Sequence, residues 1–371
     1  MLDPECLLPP DSVLYNGASG YEMANQYPAL YGKAMAETLG PEFLIASQVG
    51  FAGMEKYAAI AWPEKPSSRA DPHGTIRMAK LCLAGVPLTG PAFPVPQLGN
   101  PAGQNEFIRE LGLASASGLM MQTLEVSKLP APAPPELIKT LKVLGEIHAR
   151  LFPYLNSLAR GQDGSPLILP PALLDPGNRD WYRPGDEFML GGSILVAPGF
   201  SQGAKHWVRF PPGKWVHLET LAMYREGVAE VKPQSGPLMF LREGEILPVF
   251  SKSFQTLAGA GPKGAQPGPL DQEITLIWLA GADAQFTLFD GGQVCAHWQM
   301  DRITLGISGG QKRSYHWRLL WAPTPLSVYL NGAKLDGSRW KYQDRTGILT
   351  IPGVSGPEAE VVVVLKMITI P

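Results

Sequence analysis

Asp186-Glu187-Phe188-Met189-Leu190-Gly191-Gly192-Ser193-Ile194-Leu195-Val196-Ala197-Pro198 lies where short β-like runs take over the chain. Within it Ser193–Ala197 is a brief apolar run, bounded by glycine and proline, and so reads as a strand. Runs of the same kind follow at His206–Phe210, Lys214–Leu218 and Leu238–Leu241, separated by Gly/Pro turns. From Gly161 onward this spacing predicts an antiparallel sandwich. A linker rich in Gly, Ala and Pro runs from Ala258 to Pro269. Beyond it a second set appears: Ile274–Leu279, Gln285–Phe289, Tyr315–Leu320 and Leu326–Leu330. Asn331-Gly332 is a strong hairpin-turn dipeptide. Val361–Val364 is the longest β-branched run and reads as a strand.

Upstream the pattern is mixed. Tyr27–Met35 reads as helix and Phe43–Ala46 as a buried strand. A helix over 73–84 precedes a strand-like Val86-Pro87-Leu88, and another helix covers 104–117. The strongest helix spans 136–160, where Leu137, Leu141, Leu144, Ile147, Leu151, Leu155 and Leu158 recur at three- and four-residue steps. Pro153 is predicted to kink it or to end its first part. Helices alternating with strands imply α/β units with parallel strands. The expected division is therefore 1–160 α/β, 161–254 all-β and 255–371 all-β.

Composition agrees with many turns and short strands. The 371 residues are 45% hydrophobic and 17% charged, and Gly (41) and Pro (37) together exceed average usage. The 31 basic and 33 acidic side chains leave a net charge of −2, which argues against a nucleic-acid partner. Cys6, Cys82 and Cys295 have no zinc spacing, and their odd number excludes a complete disulfide framework. The six histidines show no metal spacing, and no phosphate loop, Rossmann fingerprint or nucleophile elbow occurs, so no cofactor is expected. His148 lies on the 136–160 helix, where packing or exposure explains it better than catalysis. The opening MLDPECLLPP is acidic and Pro-rich, unlike a signal peptide, and no apolar run reaches about 20 residues. Read alone, the sequence predicts a soluble chain with no membrane segment.

Residues 186–198 resemble the D-x-F-x-x-G-x-x-L-L-V-A-P signature of glycoside hydrolase family 31, which includes α-glucosidases, α-xylosidases and sulfoquinovosidases. Other matches keep the family's order. Phe210–Trp215 resembles its LPPGKWYD strand, Leu241–Pro248 its VRAGAIIP, and Arg150–Leu155 its RLLPYLYSLA. Asp3–Leu14 resembles DFGEYLPTDCVL. Gly50–Gly53 with Lys56, Tyr57 and Trp62 resembles GFTGSQKY followed by W. The resemblance covers nearly the whole chain. It implies the C-terminal half of a TIM (β/α)8 barrel followed by two antiparallel β-sandwich domains, proximal and distal. It also implies that a barrel half upstream of the nucleophile motif, or a partner chain, completes the sheet, because an open half leaves an unpaired edge.

The family hydrolyses α-glycosides with retention, and that chemistry needs two carboxyl groups about 5–5.5 Å apart. By resemblance Asp3 takes the nucleophile position. Cys6 replaces the neighbouring carboxylate of the DFGE motif, with Glu5 beside it. Trp62-Pro63-Glu64-Lys65 stands where the family has W-x-G-D, so Lys65 occupies the general-acid position. A lysine cannot be both protonated and a ready donor near neutral pH unless its pKa falls by several units. Glu64, one residue away, is a substitute acid only if the loop shifts. Of the residues that hold the reactive sugar, Gln48 replaces an arginine and Ala92 an aspartate. Met121-Gln122-Thr123 replaces R-x-H. Trp62 remains. An alternative register of the Ala92 motif, Gln97-Leu98-Gly99-Asn100, also lacks the carboxylate.

These losses predict a catalytically inactive relative that retains a binding or structural role. The alternatives are an active retaining α-glycosidase with Asp3 and a shifted acid, or a non-functional fragment of a longer family member. Expected ligands are a carbohydrate or an anionic small molecule. The latter follows from Lys65, which makes the old site more positive. Trp207, Trp215, Trp278 and Trp317 are either sandwich core or a sugar-stacking platform. A secretory or membrane-anchored location follows by family analogy alone.

Overall fold

The fold was analysed in a computed structural model. It describes residues 8–40, 45–47, 53–57, 60–61, 82–83, 85–86, 88–90, 92–94, 101–123, 135–161, 166–182, 187–197, 199, 206–232, 236–253 and 272–366. The described chain is mostly β-sheet with few helices.

The first helices start and stop where local chemistry dictates. Helix α1 (Gly20–Met23) opens on a capping box, in which Ser19 accepts from the Glu22 backbone and the Glu22 carboxylate accepts from the Ser19 backbone. Helix α2 (Tyr27–Leu39) has proline in its first turn and ends at Gly40, whose φ of 88° is open to glycine. Three two-residue strands, β1 (Ala46–Ser47), β2 (Ile60–Ala61) and β3 (Leu88–Thr89), pair in parallel in that order. Strands β4 (Ala92–Pro94) and β5 (Met121–Thr123) make a second parallel pair, with helix α3 (Pro101–Ser115) between them in the chain. Parallel strands with intervening helix accord with the α/β expectation for this part. Of the expected strand Phe43–Ala46, Phe43 and Leu44 lie outside the described residues, Ile45 is not in a strand and β1 begins at Ala46. Of Val86-Pro87-Leu88, Val86 is not in a strand, Pro87 lies outside the described residues and β3 begins at Leu88. Only Cys82 and Leu83 of the expected 73–84 helix are described.

Helix α4 (Pro135–Ala159) does not end at Pro153. Proline removes one intrahelical hydrogen bond and costs about 3 kcal/mol in a helix interior. Here Leu151, Tyr154 and Leu155 are buried on both sides of it, and the Ser157 hydroxyl donates to the Pro153 carbonyl at 2.6 Å. Tertiary packing of the apolar stripe outweighs the local penalty.

After α4 the described elements are β-strands apart from three short 3-10 helices, Pro171–Leu173, Arg179–Tyr182 and Gly337–Arg339. Strands β6 (Ile168–Leu169), β7 (Phe188–Leu190), β8 (Ile194–Ala197), β9 (His206–His217), β10 (Met223–Val231) and β11 (Leu238–Arg242) form one antiparallel sheet, ordered β10-β9-β11-β8-β7-β6. At β8 both faces of the sheet are buried, which explains why Ile194–Ala197 shows no polar alternation. Leu195 and Ala197 face one core with Phe210, Trp215 and Phe240, and Ile194 and Val196 face another with Tyr154 and Leu155 of α4.

The next strand, β12 (Ile246–Phe250), leaves that sheet and pairs antiparallel with β13 (Glu273–Leu279). Strands β14 (Ala284–Thr287), β15 (Gln293–Trp298) and β16 (Arg302–Ser308) then run antiparallel in an outer sheet. Strand β17 (Ser314–Leu320) returns to β13, followed by β18 (Pro325–Leu330), β19 (Ala333–Lys334), β20 (Lys341–Gln343), β21 (Ile348–Ser355) and β22 (Glu358–Leu365). The inner sheet is ordered β12-β13-β17-β21-β20 and the outer one β14-β15-β16-β22-β18-β19.

One pairing departs from the antiparallel expectation: β13 and β17 are parallel. The chain leaves β13 for three strands of the outer sheet before returning, and so has the length for a crossover. Between the two sheets lie Ile274, Leu276, Trp278, Trp317, Leu305 and Val363. The other face of the inner sheet, through Leu247, Val249 and Ile277, joins the core of α4 and the first β sheet. The inner sheet is thus buried on both sides. Leu330 pairs with Ala333 across Asn331 (φ 50°) and Gly332 (φ 79°), the hairpin turn expected from that dipeptide.

Candidate functional site

The expected sugar-site residues divide into two groups. Asp3, Gln48, Trp62, Glu64 and Lys65 lie outside the described residues. Ala92, Met121 and Thr123 lie on strands, and the structure brings them together. β4 and β5 pair in parallel, with Ala92 opposite Met121 and Pro94 opposite Thr123. None of the six paired residues, Ala92, Phe93, Pro94, Met121, Gln122 and Thr123, is ionisable. In the chain, Gln48 follows β1 directly and Trp62 follows β2, whose ends Ser47 and Ala61 are partners in register. Carboxyl ends of parallel strands are where α/β enzymes place their ligands.

Around β3, β4 and β5 the backbones approach closely because the sequence is small-residue-rich. A methyl on Gly90 would collide with the Leu119 carbonyl, and one on Gly118 with the Leu167 side chain. The Ser117 hydroxyl lies within hydrogen-bonding distance of the Ala114 and Leu119 carbonyls, at 2.9 and 3.0 Å. Thr89 is fully buried at the end of β3, and among the described residues its hydroxyl has no hydrogen-bond partner. Sequence reasoning passed over Thr89; the signal was a hydroxyl closing an apolar run just before Gly90-Pro91.

His148 packs, as its helical position suggested. Its Nδ1 is 3.3 Å from the Ser115 carbonyl, tying α4 to the end of α3. Burial pushes its pKa down, and the Ser115 carbonyl partly offsets this. Cys82 is buried, and burial pushes its thiol up to about 12, so it is a poor nucleophile. Among the described residues no cluster of His, Cys, Asp and Glu could hold a metal ion. No described helix is long and apolar enough to cross a membrane.

The aromatic-platform expectation resolves toward core. Trp215, Trp278 and Trp317 are fully buried, whereas Trp207 is 56% exposed. Trp181 carries the Arg209 guanidinium over its ring at 5.2 Å. The Phe289-Asp290-Gly291-Gly292 turn is anchored from within. The Asp290 carboxylate accepts from the Arg313 guanidinium at 2.8 Å and from the Gln311 amide at 2.7 Å. Both charged side chains of that pair are nearly inaccessible, at 7% and 1% exposure.

Comparisons with known proteins point one way. Residues 164–247 match the profile of the glycosyl hydrolase family 31 C-terminal domain. Sulfoquinovosidase of Escherichia coli is 27% identical over 267 residues, a match covering 66% of this chain and 39% of that protein. Alpha-glucosidase of Saccharolobus solfataricus is 28% identical over 248 residues, covering 62% of this chain and 35% of its own. The chain therefore spans less than two fifths of these relatives. Among solved structures, a cycloalternan-forming enzyme from Listeria monocytogenes, in complex with a pentasaccharide substrate, superposes with a TM-score of 0.76 at 16% identity, over 96% of this chain and 37% of that one. A Flavobacterium johnsoniae GH31 dextranase complexed with glucose gives 0.74 at 17% identity, over 95% of this chain and 50% of its own. At these identities the superpositions speak for the fold alone.

Proposed function

Starting from a chain related to glycoside hydrolase family 31, we propose that it is a catalytically inactive member that retains a carbohydrate-binding or structural role. In this reading residues 1–160 are the C-terminal half of the family's (β/α)8 barrel. Residues 161–254 and 255–371 are its proximal and distal sandwiches. The observation that carries the reading is Lys65 in Trp62-Pro63-Glu64-Lys65, where the resemblance puts the proton donor. An ammonium cannot supply the second carboxyl group of a retaining mechanism. The β4–β5 pair supports the same reading. Ala92 and Met121, opposite one another and standing where the resemblance puts an aspartate and an arginine, have no side-chain group able to bind a sugar hydroxyl. Transition-state stabilisation depends on such polar anchors.

Asp3 and Glu64 favour a second reading, an active retaining α-glycosidase whose acid has moved by one residue. The share of its relatives that the chain spans supports a third, a portion of a longer family member with no function of its own. Incubation of the chain with aryl α-glucosides, α-xylosides and α-sulfoquinovosides separates the first two. The inactive reading expects no aryl release above that of Asp3→Asn. Turnover abolished by both Asp3→Asn and Glu64→Gln would establish the second reading instead. A single cooperative unfolding transition with retained sugar binding would oppose the third.

A further inference from the structure

A cavity of about 310 Å³ lies where α4, the β9–β10 turn with β11, and the inner sheet of the distal sandwich meet. Its walls are mainly apolar, with Ile147 of α4 and Val249 of β12 among them. Two guanidinium groups also line it, Arg150 from α4 and Arg318 from β17, with His217 at the end of β9 and Glu219 from the β9–β10 turn. Such a lining, apolar with a few convergent polar groups, is the usual composition of a small-molecule site.

Among the described residues the two arginines have no counter-charge within ion-pair distance, and the Nε of Arg150 is buried without a hydrogen-bond partner. Glu219, the carboxylate of the lining, is exposed and bonds to neither of them. Both arginines are half-buried, and a guanidinium held partly out of water is destabilising unless an anion and hydrogen bonds replace the water it loses. Two in one cavity repel each other as well. Consistently, burial and then the nearby Arg150 charge hold the Arg318 guanidinium below the ordinary arginine range. The third polar group adds a donor without adding charge. The Thr220 amide donates to His217 Nδ1 at 3.0 Å, so the ring hydrogen sits on Nε2. Burial pushes the His217 pKa down to about 4, which leaves the ring neutral at pH 7.

We propose that this cavity is a binding site for a small organic oxyanion. Its carboxylate or phosphoryl oxygens lie between Arg150 and Arg318, and its apolar body lies against Ile147 and Val249. The planar forks of two arginines suit either oxyanion, because both accept paired N–H bonds. The volume is at the small end of ligand pockets, so the occupant is of the size of a short-chain acid. This inference goes beyond the relation to glycosidases and requires no glycoside chemistry.

Calorimetric titration of the 371-residue chain at pH 7 and low salt tests it, with hexanoate, hexyl phosphate, inorganic phosphate and hexan-1-ol as probes. Saturable one-to-one binding of hexanoate or hexyl phosphate is expected, with hexan-1-ol showing none. The stronger of the two anions identifies the headgroup. Arg150→Gln and Arg318→Gln should each weaken binding at least tenfold. Arg318→Lys, which keeps the charge and loses the fork, serves if either neutral variant fails to fold, and it too should weaken binding. The proposal is overturned if none of the anions binds at millimolar concentration, if hexan-1-ol binds as well as hexanoate, or if well-folded arginine variants bind unchanged.

Discussion

Tyr154 is the residue on which the three layers lean, and its removal should be felt in all of them. It sits on α4 with no exposed surface, and its hydroxyl donates to the Leu190 carbonyl of β7 at 2.8 Å. Its ring stacks on Phe286 of the outer sheet, with centroids 5.6 Å apart. It also packs in one cluster with Val249 and Ile277 of the inner sheet. Gly191, at φ 58°, is held close beneath it, since a side chain there would strike the Tyr154 hydroxyl. A buried aromatic covers about 150–250 Å², worth about 4–6 kcal/mol as an upper bound at about 25 cal/mol/Å². Measured aromatic-to-alanine losses of about 3–5 kcal/mol are the better guide. Tyr154→Phe removes one hydrogen bond, about 1 kcal/mol. With a urea slope of about 2 kcal/mol/M, Tyr154→Ala should lower the unfolding midpoint by about 1.5–2.5 M and Tyr154→Phe by about 0.5 M. Tryptophan fluorescence reads it, because Trp215 reports on the first β sheet and Trp278 and Trp317 on the inner sheet. A midpoint unmoved by Tyr154→Ala, or a shift in one of two separate transitions while the other stays fixed, would refute the shared core.

Asp290→Asn should destabilise the distal sandwich by about 3–5 kcal/mol, because it strands the Arg313 charge in a site where both side chains are almost inaccessible. At about 2–4 °C per kcal/mol this is a fall of about 10 °C in calorimetric Tm, and an unchanged Tm would contradict the burial. For His217 the sign runs with its depressed folded pKa of about 4, against about 6.5 when unfolded. Between those values the unfolded chain binds the extra proton, so stability falls as pH drops from about 6.5 to about 4. Urea midpoints across that range should flatten in His217→Gln, and parallel profiles for the two proteins would discount the histidine.

Much of the fold was legible because burial writes itself into strand composition. Ile194–Ala197 is apolar at every position, and the structure covers both of its faces. Asn331-Gly332 named its own hairpin through the positive φ values it tolerates. Pro153 does not end the helix, because leucines and a tyrosine pack on either side of it. The transfer of β12 into the inner sheet and the parallel β13–β17 pair were not legible, since pairing partners across a crossover leave no mark on spacing.

For the candidate site, motif order alone suggested positions for Asp3, Lys65 and Ala92, and Asp3 and Lys65 lie outside the described residues. The Arg150–Arg318 cavity was hidden for a different reason. Arg150 read as part of a helix motif and Arg318 as one residue of the run Tyr315–Leu320, and only the packing of α4 on the inner sheet brings them together. An arginine in the middle of an apolar strand was the available signal, because such a charge needs a partner.

The central proposal is that this chain, with Lys65 where the resemblance puts the proton donor, does not open glycosidic bonds whose leaving oxygen must be protonated. Substrates with unactivated leaving groups, such as maltose, isomaltose and methyl α-glucoside, test it most directly. Chromatography after prolonged incubation should show no released glucose above that of Asp3→Asn. Glucose release that disappears in both Asp3→Asn and Glu64→Gln would contradict the account.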